Sequence, residues 1–386
     1  MLKSGGKQDI LTDDLKSLYS LLCNLDIINV YLMIKLLLFN FIFYTIIMEY
    51  IYPENITSNK LSNSQIKQWK EHGYLLVNGL LEDDILQNAI KQLNILYPHI
   101  THQQNKIDEI AAKQDFGSNG KLEFPCTIDS INQITLSKNI INAAKQLLNE
   151  DVRLLQSDAW GKYGGNKTND KFNNRDQRIH VDYPNNTLVH PFSWDNPDAV
   201  AMIVYFDDSD ITGGCTSLVP KNGKDDKFYK WPLMNNPGIA GLPWFNDKDS
   251  IEEVLKESHP EVYNFRQELY QKEKFAAFKP GTILFYRHDI WHRGTPVNLG
   301  QVRRVVNLGF RRESCDWLTT WNPGWARHMY HKTFYLEKLI ANCSVLQRNV
   351  LGFPKPGHIY WNQETLEAVE KRYGPLGFDI TPYKKN

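Results

Sequence analysis

Arg178-Ile179-His180-Val181-Asp182-Tyr183-Pro184, near the middle of the chain, is the stretch on which the fold turns. In an extended strand alternate side chains share a face, so His180 and Asp182 project together while Val181 points the other way. A neutral imidazole nitrogen and a carboxylate oxygen side by side are two jaws of a clamp for a divalent metal, and an imidazole from a distant segment would complete a two-histidine, one-carboxylate facial triad. His292 is the candidate. It stands at the exit of Lys279–Gly294, which reads as a Pro-Gly turn followed by a β-rich run. Alone, an H-x-D triplet arises by chance and more often marks a hydrogen-bonded pair than a metal site, so the reading depends on its surroundings.

Composition narrows the function classes. The 386 residues hold 44 Lys+Arg and 44 Asp+Glu, a formal net charge of zero, with no basic stripe and so no electrostatic footprint for nucleic acid. A chain of this length buries a substantial core, in one large domain or two ordinary ones. Cys23, Cys126, Cys215, Cys315 and Cys343 are scattered, odd in number and form no C-x-x-C, so free thiols in a reducing compartment are expected. Residues 1–47 stand apart. Ile27–Ile47 carries one charge, Lys35, and meets the roughly 20 apolar residues of a membrane span. Its flanks give no orientation, because Asp9, Asp13 and Asp14 dilute Lys3, Lys7 and Lys16. The segment reads either as a signal anchor or as an erroneous extension upstream of a start at Met48. The expected location is cytoplasmic, with membrane contact only if residues 27–47 are translated as an anchor.

The main domain is expected over 48–316, with a C-terminal extension at 317–386 packed on it. Ser62 reads as the N-cap of a short helix with Gln65 three residues on, ended by His72-Gly73 and followed by a strand at Tyr74–Val77. A second helix opens at Leu81 with Leu86, Ile90, Leu93 and Leu96 at helical spacing, and a third spans Asn139–Leu148. Asn105–Asn119 is a polar loop. Arg153–Asp158 and Ala159–Tyr163 read as paired strands, and Gly164–Asn174 as a turn-rich lip beside the clamp. Ala199–Phe206, Gly213–Pro220 and Val302–Phe310 add strands, and short strands this closely spaced imply an antiparallel sandwich or barrel. Residues 228–273 read as an insertion covering one mouth, and Phe334–Cys343 and Glu364–Tyr373 as helices of the tail.

Arg303 lies eleven residues beyond His292, in a strand where Gln301, Arg303, Val305 and Asn307 share one face. If that face is inward the guanidinium needs a partner, and its planar fork suits a carboxylate. Arg304, on the opposite face, is expected in solvent, as is His288. Lys162 reads equally well as a surface charge. Trp291 is expected to pack, and His190 and Trp194 to shape a substrate mouth. The Asn185-Asn186-Thr187 sequon is read as chance, and the C-terminal Lys384-Lys385-Asn386 is not a peroxisomal address.

His180-x-Asp182, His292 and Arg303 at this spacing resemble the phytanoyl-CoA dioxygenase family of Fe(II)/2-oxoglutarate oxygenases. Trp69–Leu81 is similar to the family's opening helix and strand. Gly213–Lys224 (GGCTSLVPKNGK) is similar to its segment between the ligands, although Lys221-Asn222-Gly223 stands where Gly-Ser-His is usual. The likeness covers Ser62–Arg312. It implies a mainly β fold with flanking helices, a double-stranded β-helix or jelly roll. It also implies Fe(2+) held by His180, Asp182 and His292, and 2-oxoglutarate as cosubstrate. Arg303 would grip the far carboxylate of 2-oxoglutarate, with Gln156 and Lys162 touching it and ascorbate as an accessory reductant. The expected reaction is hydroxylation of a small organic substrate by O2, with release of succinate and CO2. The carboxylate of Asp182 favours hydroxylation over halogenation, because related halogenases lack it. Two other classes remain open at this stage: a cupin-type metal-dependent isomerase or lyase, which would not need Arg303, and a non-catalytic binding protein retaining the fold.

Overall fold

A computed structural model describes residues 48–99, 122–164, 174–183, 187, 189–193, 195–315, 318, 335–350 and 353–384. The apolar segment 27–47, the polar loop 105–119, most of the 164–174 lip, Trp194 and the two sequon asparagines lie outside these residues. The described strands, in chain order, are β1 (Glu49–Ile51), β2 (Glu54–Asn55), β3 (Tyr74–Asn78), β4 (Leu122–Glu123), β5 (Val152–Tyr163), β6 (Ala199–Tyr205), β7 (Thr216–Leu218), β8 (Lys274–Ala276), β9 (Ile283–Arg287), β10 (His292–Gly294) and β11 (Val302–Arg312). They form a major sheet in the order β2-β3-β9-β6-β11-β5-β4 and a minor sheet in the order β1-β8-β7-β10. Neighbours from distant parts of the chain, paired mostly antiparallel in two sheets, make the jelly roll that the sequence implied. The run Arg153–Tyr163, read as two paired strands, is one continuous strand. It pairs along its length with β11, and the register shift beside Gly309 leaves Leu155 as the extra residue. Ser157, Asp158 and Gly161 lie inside the run without turning it, because β11 supplies a partner long enough for all of it.

Alternation sends the two faces of the major sheet into different cores. Leu75, Val77, Val200, Met202, Val204, Ile283, Phe285, Val306 and Leu308 face outward, under the helices Asn63–His72, Asp83–Leu96 and Lys138–Leu148. Leu76, Ala201, Tyr205, Leu284, Tyr286 and Val305 face inward, toward the minor sheet. Each fully buried aliphatic or aromatic side chain contributes roughly 1.5–3 kcal/mol to this layering. The first helix begins at the Ser62/Gln65 capping box and ends on Gly73 at φ 82°, as its sequence signals require. Arg304, expected in solvent, is buried beneath the helical layer at 2% exposure. Its backbone N–H and its guanidinium both bond the carboxylate of Asp207, and Nε donates to the Tyr97 carbonyl at 2.8 Å. The helices cover the face on which it sits, so a charge there persists only because it is paired.

The segment holding His180 and Asp182 runs beside β10, the edge strand of the minor sheet, and is bridged to it at His180–His292. Its other edge is met by residues 228–273. Arg178 N–H donates to the Asn246 carbonyl at 2.9 Å, Ile179 N–H to the Tyr270 hydroxyl at 3.2 Å and Val181 N–H to Asn236 Oδ1 at 3.1 Å. The tail packs at the exit of the same segment, where Tyr360 OH donates to the His190 carbonyl and Arg372 to the Thr187 carbonyl.

A buried ionic knot fixes the turn between β9 and β10. Both carboxylate oxygens of Asp289 accept from Arg287 at 2.9 Å, and Lys221 bonds one of them as well. Lys221 N–H also donates to the His72 carbonyl, and Arg287 reaches the carbonyls of Lys70 and Gly73. The backbone N–H groups of Lys221 and Arg287 and the Arg287 guanidinium thus close the C-terminal end of the first helix, where its carbonyls concentrate negative potential. Burial alone would raise the Asp289 carboxyl, but Arg287 and then Lys221 hold it well below the usual carboxylate range. Asp289→Asn is expected to cost about 3–5 kcal/mol in urea denaturation at neutral pH, because it strands two buried cations. The pH dependence has a definite sign. A carboxyl depressed on folding gives its full stability above its unfolded value of about 3.9 and loses it as pH falls toward the folded value. The difference between wild type and variant should therefore shrink below about pH 4. An unchanged urea midpoint in the variant would remove the knot from the account.

Candidate active site

Main-chain pairing brings the three metal-ligand candidates together. His180 and His292 face each other across an antiparallel bridge, each N–H donating to the other's carbonyl, at 2.9 and 2.8 Å, with ring centroids 4.4 Å apart. Asp182 turns to the same side. Its Oδ1 lies 3.4 Å from His180 Nε2 and its Oδ2 lies 3.4 Å from His292 Nε2. One ligand atom from each residue falls within 4.8 Å of the others. Ligands at right angles around an ion with bonds of about 2.1 Å stand roughly 3 Å apart, so the two carboxylate–imidazole separations of 3.4 Å are near coordination spacing, while the widest separation, up to 4.8 Å, must close further.

The imidazoles are held in the correct tautomer by backbone. His180 Nδ1 bonds the Arg178 carbonyl at 3.1 Å, and His292 Nδ1 bonds the Ile290 carbonyl at 3.0 Å. A carbonyl only accepts, so each Nδ1 carries the proton and each Nε2 lone pair faces Asp182. The carboxylate is anchored from the major sheet: Tyr286 OH donates to Asp182 Oδ2 at 2.9 Å, and its ring lies 4.8 Å from that of His292. Burial, helped by the neighbouring His292, pulls His180 down to about 4. Burial would raise Asp182, but His292 and hydrogen bonds from both imidazoles hold it well below the usual range. A neutral, buried His180 and an ionised, half-buried Asp182 are what a divalent cation requires, while Asp182 outweighs burial to raise His292.

Farther along the inner face lies Arg303, at 4% exposure and directly across from Lys162 on β5. One guanidinium nitrogen donates to the Gly214 carbonyl at 2.6 Å and the group lies 5.3 Å from the Trp160 ring centroid. Nε has no hydrogen-bond partner, and no carboxylate pairs with the side chain among the described residues. Burial pushes its pKa down. Gly214 is needed here. Its φ is 69°, and a β carbon on it would come within 3.3 Å of Arg303 Cδ and 2.8 Å of Val297 Cγ2. Lys162 is a buried residue and no surface charge; Nζ donates to the Thr295 carbonyl at 2.9 Å, and burial followed by repulsion from Arg303 lowers it to about 7. Gln156 shares their face but stands six residues along β5, opposite Gly309 and half-buried.

The remaining sequence candidates sort simply. Trp291 packs, its Nε1 donating to the Phe228 carbonyl. His190, read as part of a mouth, is enclosed beside Trp231 at 4.3 Å. His288, expected in solvent, is buried, and its carbonyl accepts from Asp182 and Tyr183. Lys221, noted in the sequence only as a departure from a familiar motif, is the cation of the ionic knot. One residue was missed: Tyr286 carried no signal beyond sitting in a β-rich run.

The sequence matches the family model of phytanoyl-CoA dioxygenase (PhyH) over residues 69–305, more than half of the chain. No curated protein matches it. Among solved structures it is similar to EctD from S. alaskensis with 2-oxoglutarate and 5-hydroxyectoine, at 15% identity and TM-score 0.44, over 72% of this chain and 89% of that one. It is also similar to the epimerase SnoN in complex with Fe3+, alpha ketoglutarate and nogalamycin RO, at 16% identity and TM-score 0.44, over 67% and 86%. HygX from Streptomyces hygroscopicus with nickel and 2-oxoglutarate bound aligns at 12% identity and TM-score 0.41, over 68% and 90%.

Removing the hydroxyl that steadies Asp182 should loosen the metal without unfolding the chain. Tyr286→Phe is expected to weaken binding of Fe(II), or of Co(II) as a spectroscopic substitute, by about 10–100-fold in anaerobic titration. Wild-type affinity in the variant would show that Asp182 needs no such anchor.

Proposed function

Because the chain belongs to the phytanoyl-CoA dioxygenase family of iron- and 2-oxoglutarate-dependent oxygenases, we propose that it hydroxylates a small organic molecule with Fe(II), 2-oxoglutarate and O2. The observation that carries the reading is that His180, Asp182 and His292 converge on one another while the deeply buried guanidinium of Arg303 lies on the inner face of the major sheet, the face that also carries Tyr286 against Asp182. A metal-dependent isomerase or lyase would need the three ligands alone. A buried arginine with an unused Nε is stable in the long run only opposite an anion, and a dicarboxylic acid supplies one.

His180 and His292 would hold iron through Nε2 and Asp182 through a carboxylate oxygen, with Tyr286 fixing the carboxylate. When bound, iron with 2-oxoglutarate and O2 supplies the oxidising chemistry: the cosubstrate leaves as succinate and CO2, and a substrate C–H becomes C–OH. Arg303 orients the far carboxylate of 2-oxoglutarate, and the Gly214 carbonyl and the Trp160 face keep its fork from rotating. Lys162, beside Arg303, adds a proton donor on the same carboxylate. Gln156, six residues along β5 from Lys162 and so about 20 Å away, is given no contact with the cosubstrate. The two sheets keep bulk water from the ligand set, which strengthens each of these contacts.

With Fe(II) and ascorbate present, succinate should form from 2-oxoglutarate, more of it with substrate than without, and His180→Ala should abolish it. Arg303→Ala removes a charge-assisted contact worth about 1.5–3 kcal/mol, so the KM for 2-oxoglutarate should rise about 10–150-fold while the affinity for Fe(II) stays put. Metal-independent succinate release, or an unchanged KM in Arg303→Ala, would sink the assignment.

A further inference from the structure

The register of the major sheet places Lys162 of β5 directly opposite Arg303 of β11. Side chains opposed in this way start from β carbons about 4.5–5.5 Å apart, so two long cations leave neighbouring points on the inner face and enter the same space. Both are buried, Arg303 at 4% exposure and Lys162 at 9%. Like charges directly opposite each other destabilise a sheet, and here little solvent reaches them to screen the repulsion.

The groups around Lys162 do not neutralise it. Nζ donates to the Thr295 carbonyl at 2.9 Å and lies 3.4 Å from the Arg175 carbonyl, and no carboxylate bonds it among the described residues. Arg303 faces it from β11, Arg293 from β10 and Asp176 from the segment before His180. Asp176 is the one acid of the three. Arg293 already bonds it at 2.6 Å, while also gripping both oxygens of Glu273. On the far side of Arg303 stand Tyr205, Cys215 and Asp207. Burial raises the phenol and the thiol and so keeps both neutral, and Asp207 is taken by Arg304.

Burial first, and then Arg303, brings Lys162 down to about 7. The empty site therefore holds an ammonium below neutral pH and mostly a neutral amine above it. A carboxylate set against Arg303 reverses the balance, because a negative charge within about 4–6 Å favours the ammonium. An arginine in this place would stay charged whether or not an anion were present; a buried lysine can shed its proton and recover it. The carboxyl groups of 2-oxoglutarate ionise near pH 4 and carry no proton to give at neutral pH, so the proton comes from solvent.

Resting on the iron and 2-oxoglutarate reading, we propose that Lys162 takes up one proton as 2-oxoglutarate binds, so that the far carboxylate is held between two cations and affinity for the cosubstrate falls as pH rises above neutral. The sign follows from reciprocity. If the cosubstrate raises the affinity of Lys162 for a proton, protonation raises the affinity for the cosubstrate by the same factor, and that gain is lost as pH climbs past the value of the empty site.

The test titrates the full-length chain, loaded with Ni(II) under anaerobic conditions, with 2-oxoglutarate in a calorimeter, so that no turnover is needed. At about pH 8 the heats in HEPES and in Tris, which differ in ionisation enthalpy, should differ by the amount for about one proton taken up, and at about pH 6 the uptake should be nearly nil. Kd should rise about 5–10-fold between about pH 7.5 and 8.5 and stay level below about pH 6.5. Lys162→Met should flatten that profile and bind about 10-fold or more weakly at about pH 6.5, as loss of a charge-assisted contact does. The two-buffer comparison needs no variant and decides the matter if Lys162→Met does not fold. Binding without proton uptake at about pH 8, or the wild-type slope persisting in Lys162→Met, overturns the proposal and leaves the cosubstrate assignment standing. No binding of 2-oxoglutarate at any pH overturns that assignment, and the proposal with it.

Discussion

The reciprocal pair of backbone hydrogen bonds between His180 and His292 is the constraint on which the rest of the molecule depends. It ties together two segments more than a hundred residues apart, and it sets their side chains on one face at a spacing a single ion can bridge. Everything that supports the pair is arranged to keep those two strands from sliding. The ionic knot at Asp289 fixes the turn that delivers His292, and the insertion holds the strand that delivers His180. A slip of one residue would turn His180 and Asp182 away from the cleft and bring Val181 into it.

The ligand set was legible because its logic is local. Period-two alternation in Arg178–Tyr183 predicts which side chains share a face, and a histidine leaving a β-rich run is a short pattern. Arg303 was found in the same way. Those local rules stopped where tertiary covering decides the outcome. Arg304 has the sequence of a solvated charge, and only the helical layer above it, with Asp207 beneath, makes it a buried ion pair. His288 and Lys162 changed status for the same reason: alternation gives the face of a residue and not what lies against that face. The single long β5 was read as two strands because its partner, β11, is most of the domain away in sequence. Tyr286 was invisible because its role depends on the distance between two sheets.

Arg303 and Arg304 show how much one step along a strand can change. They are neighbours in sequence and both buried, yet they face opposite cores. Arg304 finds a carboxylate of the protein's own, so its charge is spent on the fold. Arg303 finds a carbonyl, an aromatic face and a buried lysine, none of which neutralises it. Among the described residues no carboxylate pairs with it, so an anion arriving there is met by groups already in place.

The extended segment that carries His180 and Asp182 lies along the β10 edge of the minor sheet, and a bare edge invites another polypeptide to add itself. Here the outward N–H groups of Arg178, Ile179 and Val181 are each occupied by an acceptor from residues 228–273. Residues 228–273 therefore guard this edge. A chain trimmed of them to make a smaller catalyst would present an open ladder beside its metal ligands, and would be prone to join copies of itself edge to edge.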